Sequence, residues 1–228
     1  ALEGQFNVIK AISKTNVRRF IYASSSEVYQ TPKEVPTTEN VQLVIPDINN
    51  PRYSYGGGKI VGELMCVHYL PKDVPFQIFR PHNIYGPNMG FEHVIPELIQ
   101  KIHTSKPINE KSNQHKINLQ GGGETKRSFC FIKDFGNGFL KLWENGSPNE
   151  IYNIGTQNEV TILQVAKIIS KLSGKELVYK NMELKLLALN LINEKRLKNG
   201  LNKLELGINP VAQILAEDSA KYEYISHW

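Results

Sequence analysis

Phe20-Ile-Tyr-Ala-Ser-Ser-Ser26 is a four-residue apolar run that stops abruptly in three hydroxyl side chains. A buried strand ending in hydroxyls is what a parallel sheet presents at its carboxyl edge, where ligands bind. A serine-rich turn is the competing reading. A second apolar run, Phe76-Gln-Ile-Phe-Arg80, leads into the turn-rich Pro81-His-Asn-Ile-Tyr-Gly-Pro87. Between them Arg52-Tyr-Ser-Tyr-Gly-Gly-Gly-Lys-Ile-Val-Gly-Glu63 opens a helix to Leu70, with Ile60, Val61, Leu64, Met65 and Tyr69 on its apolar face. Strand, loop, helix, strand, loop predicts an α/β parallel sheet.

The helix carries Tyr55 and, four residues on, Lys59, a spacing that stacks both side chains on one face. A phenol titrates near pH ~10, and a neighbouring ammonium favours the phenolate, so the pair is a candidate proton-transfer group. A solvated helix face explains the same spacing. Each of Gly56, Gly57 and Gly58 costs up to about 1 kcal/mol against alanine in a helix. Three together point to a first turn where something packs close to the backbone, with poor helix formation as the competing explanation.

Working outward, Leu2–Ile12 has helical periodicity. Residues 30–51 form a long polar loop with Pro32, Pro36, Pro46 and Pro51, and long loops in compact domains tend to be functional. A helical pattern spans 92–102, interrupted near its start by Pro96; residues 104–116 read as a surface insertion and 117–119 as a brief strand. Gly121–Gly123 is a turn without a GxGxxG frame. Strands are expected at 129–132, 151–154 and 177–179. Asp134 is expected to cap a helix to Trp143, and Thr161 one to Leu172. Further helices are expected near 186–197 and 211–227. There is no internal repeat.

Composition narrows the class. A chain of 228 residues with 40% hydrophobic content supports a real core. The net charge of +5 comes from scattered lysines, which does not point to nucleic acid and suits a small anionic ligand. Cys66 and Cys130 lie in apolar contexts and read as buried free thiols of a reducing cytoplasm. No apolar run approaches membrane-spanning length, and no signal-peptide pattern is seen. The chain begins within a helical pattern and without an initiating Met, which reads as a fragment.

Four stretches together resemble one family, the extended short-chain dehydrogenase/reductases that act as NAD-dependent nucleotide-sugar epimerases and dehydratases. They are Phe20-Ile-Tyr-Ala-Ser-Ser-Ser-Glu-Val-Tyr29, Tyr55-x-x-x-Lys59, Arg80-Pro-His-Asn-Ile-Tyr-Gly-Pro87 and Gly121-x-x-x-x-x-Arg127-Ser-Phe-x-x-Ile-x-Asp134. Leu206-Gly-Ile-Asn-Pro210 is similar to the ending of these enzymes. The resemblance implies a Rossmann-like parallel sheet, second half only, over residues 1–90. A smaller α/β substrate-binding region would cover 91–228, with a strand and helix around 120–175 partly returning to the first domain.

The resemblance also implies roles. Tyr55 would be the catalytic base and acid, Lys59 would hold the nicotinamide ribose, and Ser25 would bind the sugar hydroxyl and relay the proton. His82 would flank the nicotinamide. Asn83 and Arg127 would meet the substrate diphosphate, and Val94 lies in a segment set against the nucleotide. Ser26 stands where dehydratases carry an Asp, which favours a 4-epimerase working through a 4-keto sugar. The Ser26-Glu27 combination resembles decarboxylases of UDP-glucuronate, so Glu27 keeps that alternative open, a surface turn glutamate being the other reading. A dehydratase of the same family is a further alternative. A truncated, non-catalytic binding module is the alternative of another class. NAD is the implied cofactor, a UDP-sugar the implied substrate, and no metal is implied. A cytoplasmic homodimer is expected, with Met65, Val67 and Leu70 read either as its interface or as core residues. Glu3 replaces the family's usual Asn, and no Arg-x-x-Pro-Asp segment occurs near 185–198.

Overall fold

The computed structural model describes residues 2–179, 192–194, 196–198 and 200. In chain order these hold α1 (Leu2–Ile12), β1 (Phe20–Ala23), α2 (Ser54–Tyr69), β2 (Phe76–Pro81), β3 (Ile84–Tyr85), α3 (Val94–Thr104) and β4 (Gln114–Ile117). There follow β5 (Lys126–Ser128), β6 (Cys130–Phe131), α4 (Ile132–Asn145), β7 (Glu150–Ile154), β8 (Glu159–Thr161), α5 (Ile162–Ser173) and β9 (Glu176–Tyr179). Two compact units result. The first runs to Gly90 and resumes over Lys126–Val160; the second takes Phe91–Thr125 and the described residues from Thr161 on.

In the first unit β1, β2 and β7 form a parallel sheet in that order, with Tyr22 opposite Ile78 and Arg80 opposite Asn153. β2 is central, and Gln77, Ile78, Phe79 and Arg80 are all buried. Alternation along the strand divides them between two faces. Phe79 packs on α4, 5.3 Å edge-on from Phe139, with Leu142 and Ile154 completing that core. Gln77 donates to the Gly146 carbonyl at the end of α4. Arg80 faces the other way, towards α2. Cys66 and Cys130 are both buried free thiols, and burial pushes the Cys66 thiol up to about 12.

The buried face of α2 differs from the expected one. Val61, Leu64 and Tyr69 are exposed, and the helix is buried through Gly56, Gly62, Glu63 and Cys66. Small residues let neighbours come close: Gly62 lies directly beneath the Tyr22 hydroxyl and Gln5. Close backbone approach in the first turn holds at Gly56, where an added Cβ would sit 2.8 Å from the Glu27 carbonyl oxygen. At Gly57 the neighbour is Ile45, and at Gly58 nothing lies within 4 Å. Gly58→Ala is therefore expected to raise stability by up to about 1 kcal/mol. Gly56→Ala is expected to lower it by about 1–3 kcal/mol through overpacking. Urea midpoints of the two variants should move in opposite directions.

Other local expectations shift. The chain at 129–132 is split: β6 ends at Phe131 and α4 starts at Ile132. Asp134 is not the cap; Phe131 holds that position, and Asp134 lies in the first turn, where the helix dipole favours a carboxylate. Pro96 does not interrupt α3, because it sits in the first turn, where a missing N–H costs nothing. The strand expected at 117–119 lies instead at β4. β3 pairs with β6, and β5 with β8, in ladders too short to leave a periodic signal.

In the second unit β4 and β9 run parallel and α3 packs on α5. Leu98, Ile102, Ile117, Val165, Ala166, Leu177 and Val178 are buried. Thr161 caps α5 as expected, and the structure adds a reciprocal capping box with Gln164. Lys175 donates to the Ile102 and His103 carbonyls at the end of α3, where a cation suits the dipole. Of the helix expected at 186–197, residues 192–194 and 196–197 are helical. Its remainder, Leu206–Pro210 and the helix at 211–227 lie outside the described residues. Among the described residues no helix is long and apolar enough to cross a membrane.

Candidate active site

β1 ends at Ala23 and hands over Ser24 and Ser25, both buried. Ser25 has extended backbone and caps a short 3₁₀ turn, Ser26–Val28. Its Oγ accepts from the Glu27 N–H at 3.2 Å, which leaves the hydroxyl proton to donate elsewhere. Glu27 is exposed beside it.

Tyr55, Lys59 and Glu63 follow one another at one-turn intervals on α2. Lys59 Nζ donates to the Ala23 carbonyl at 2.7 Å, so the helix is tied to the last residue of β1. The ammonium lies 5.7 Å from the Tyr55 ring centroid and 5.3 Å from that of Tyr22. Tyr55 is 57% exposed, its ring open to a ligand. An ammonium has three donors, and Lys59 spends one on Ala23. The remainder, with the Tyr55 phenol, could hold the hydroxyls of a ribose. Among the described residues no cluster of His, Cys, Asp and Glu could hold a metal ion.

Behind these residues lies a buried polar network that sequence reasoning missed. Arg80 and Glu63 form a fork: Nε to Oε1 at 2.9 Å and Nη2 to Oε2 at 2.6 Å. Ser24 Oγ donates to the same carboxylate at 2.5 Å. Arg80 Nη1 donates to the Tyr29 hydroxyl at 2.7 Å and to the Glu39 carbonyl at 3.0 Å. Tyr29 in turn donates to Asn153 Oδ1 at 2.7 Å. The Asn153 N–H donates to the Glu39 carboxylate at 2.8 Å, and its Nδ2 to the Thr37 carbonyl at 3.0 Å. The loop at 30–51 is thus stitched across the carboxyl ends of β2 and β7. Burial alone lowers the Arg80 pKa, but the bonds to Glu63 and Tyr29 outweigh it and raise the guanidinium further.

His82 is half-buried, with Nε2 3.3 Å from Asn153 Oδ1. Burial depresses its pKa below 6.5; the Arg80 charge adds to this, while the Asn153 bond and Glu39 oppose it. The folded protein therefore binds this proton less readily than the unfolded chain. The stability this gives is full above pH 6.5 and is lost as pH falls through the folded value. Between pH 7 and 5 the wild type is expected to lose more stability than His82→Gln, measured by urea unfolding at each pH. Equal losses would show that His82 is not the group responsible.

Asn83 has φ +35°, a left-handed conformation that asparagine tolerates. Its Nδ2 donates to the Ser128 carbonyl at 3.1 Å, which ties it to β5. Arg127 is on that strand, exposed, with Nη1 donating to the Lys126 carbonyl at 2.8 Å. Ser25, Glu27, Tyr55, Lys59, His82, Asn83 and Arg127 all belong to the first unit. Val94, the first residue of α3, is exposed and belongs to the second unit.

Comparison with known proteins places these features in a wider group. Residues 1–155 match the profile described as the NAD dependent epimerase/dehydratase family. A dTDP-D-glucose 4,6-dehydratase of Bos taurus is 31% identical over 172 residues, 74% of this chain and 44% of that protein. A GDP-mannose 3,5-epimerase of Arabidopsis thaliana is 33% identical over 180 residues, 75% of this chain and 45% of that protein. A crystal structure of UDP-galactose 4-epimerase superposes with a TM-score of 0.60 at 25% identity, covering 77% of this chain and 54% of that one. The chain spans less than half the length of these curated relatives.

Proposed function

The chain belongs to the NAD-dependent epimerase/dehydratase family, and on that premise we propose that it carries the chemical centre of a nucleotide-sugar 4-epimerase. The observation that supports this reading is the bond from Lys59 to the Ala23 carbonyl at the end of β1, two residues before Ser25. The donor set fits a nicotinamide nucleotide at its ribose end. Lys59 keeps ammonium donors beyond its bond to Ala23, and the Tyr55 phenol is exposed. NAD, when bound, supplies a hydride acceptor that also gives the hydride back.

Tyr55 takes the proton from the sugar C4 hydroxyl as C4 is oxidised to a ketone, and returns it when C4 is reduced from the other face. Lys59 places a positive charge beside the Tyr55 ring, complementary to the negative charge that the phenol oxygen carries before it takes the proton and again after it returns it. Ser25 keeps a donor for the sugar oxygen. Asn83 and Arg127 serve the substrate diphosphate, Arg127 offering a planar fork to its oxygens. His82 flanks the nicotinamide. The residue after Ser25 is Ser26, not the Asp of a dehydratase, which favours epimerisation. Two copies pair through α1 and α2, where Phe6, Leu64 and Val67 are exposed beside the half-buried Met65 and Leu70.

A second reading, a dehydratase, is favoured by the names of relatives such as the bovine protein and by Glu27 beside Ser25. The test is incubation of the chain, and of any longer polypeptide that contains it, with NAD and UDP-glucose, UDP-GlcNAc, UDP-glucuronate or dTDP-glucose. NMR should identify a C4 epimer. A 4-keto-6-deoxy sugar selects the dehydratase, a pentose the decarboxylase, and no turnover of any sugar sinks the enzyme reading.

A further inference from the structure

Glu63 continues the stripe of Tyr55 and Lys59 one turn further along α2, yet it has no place in the chemistry above. It is buried, as are its partners Ser24 and Arg80. Its bonds form a pattern with those of Lys59. Lys59 binds Ala23 and Glu63 binds Ser24, so two successive turns of α2 grip two successive residues at the end of β1. The next residue is Ser25. Arg80, at the end of β2, clamps the Glu63 carboxylate from the other side with two parallel bonds. A buried ion pair is a poor source of net stability, because desolvation offsets the attraction, but it is demanding in geometry.

The geometry points to Glu63 as a positioning residue: through Ser24 and Arg80 it fixes the register of Tyr55 and Lys59 against Ser25. This rests on the reading of Tyr55, Lys59 and Ser25 as the proton-transfer group. Glu63 itself does not touch substrate.

Two variants test it: Glu63→Gln, which puts an amide donor against Arg80, and the apolar double replacement Glu63→Leu/Arg80→Met. Each is read by steady-state kinetics and by the Tyr55 signal in ¹³Cζ-tyrosine NMR, assigned with Tyr55→Phe. In both, kcat is expected to fall roughly hundredfold with KM changed by no more than about twofold, the mark of misplacement rather than lost binding. The Tyr55 signal is expected to move by more than a linewidth. A purely structural pair would behave otherwise: the double variant would recover wild-type kcat and an unmoved Tyr55 signal. Either that recovery, or a Glu63→Gln protein with both readouts unchanged, overturns the proposal. If Glu63→Gln does not fold, the double variant decides. If the wild type turns over no nucleotide sugar, the functional reading fails; the NMR arm then decides the register, a shifted Tyr55 supporting it and an unmoved one overturning it.

Discussion

Tyr55→Phe is expected to lower kcat by a factor of about 10²–10⁴, the range that a positioned acid–base group contributes. The substitution removes one oxygen and keeps the ring that lies 5.7 Å from Lys59 Nζ. Tyr55 is 57% exposed, and its hydroxyl is not part of the buried network, so stability should change by no more than about 0.5 kcal/mol. Activity and stability are thereby separated in one variant. KM should change little, because the lost group acts on the proton and not on the diphosphate. Kinetics on purified protein with an unchanged urea midpoint make the check. A loss of about tenfold or less is too small for a proton-transfer group, and would assign that role elsewhere.

Arg80→Ala is expected to cost about 3–5 kcal/mol of folding stability, the typical penalty for stranding the other half of a buried ion pair. The side chain is 2% exposed and makes bonds to Glu63, Tyr29 and the Glu39 carbonyl. Its removal leaves the Glu63 carboxylate buried beside Ser24 alone, and frees the loop at 30–51 from one of its stitches. An exposed pair would behave differently, costing about 0–1 kcal/mol. The double variant Glu63→Leu/Arg80→Met removes both charges and should lie within about 1.5 kcal/mol of wild type. Urea unfolding of Arg80→Ala and of the double variant reads the difference. A single variant that loses less than about 1 kcal/mol would mean that water reaches the pair.

How much of this was legible follows from what kind of signal each feature leaves. β1 and β2 were readable because a buried parallel strand is a short apolar run between turn residues. α5 was readable because Thr161 is a good N-cap residue. The buried face of α2 was not, since Gly56 and Gly62 carry no hydropathy and Glu63 carries the wrong sign for a core position. β3, β5, β6 and β8 are two or three residues long, below any periodicity. The candidate roles of Tyr55, Lys59 and Ser25 came from the family resemblance, since the spacing of Tyr55 and Lys59 by itself fits a solvated helix face equally well. The tether from Lys59 left no trace, because its acceptor is a backbone carbonyl. Arg80 did leave one: a charge inside an apolar strand has to find a partner. Naming that partner required pairing across 17 positions to Glu63, and the link from Asn153 to Glu39 spans 114. No local pattern reaches so far.

The most direct measurement uses a UDP-sugar deuterated at C4, with NAD and unlabelled water, and product analysis by NMR. Deuterium recovered at C4 with the configuration inverted is the expected result, since hydride leaves and returns to the same carbon while Tyr55 moves only the hydroxyl proton. Deuterium transferred to C6 of a 4-keto-6-deoxy sugar would contradict epimerisation and select elimination at the same Ser25–Tyr55–Lys59 centre. Deuterium lost to solvent would contradict hydride transfer itself.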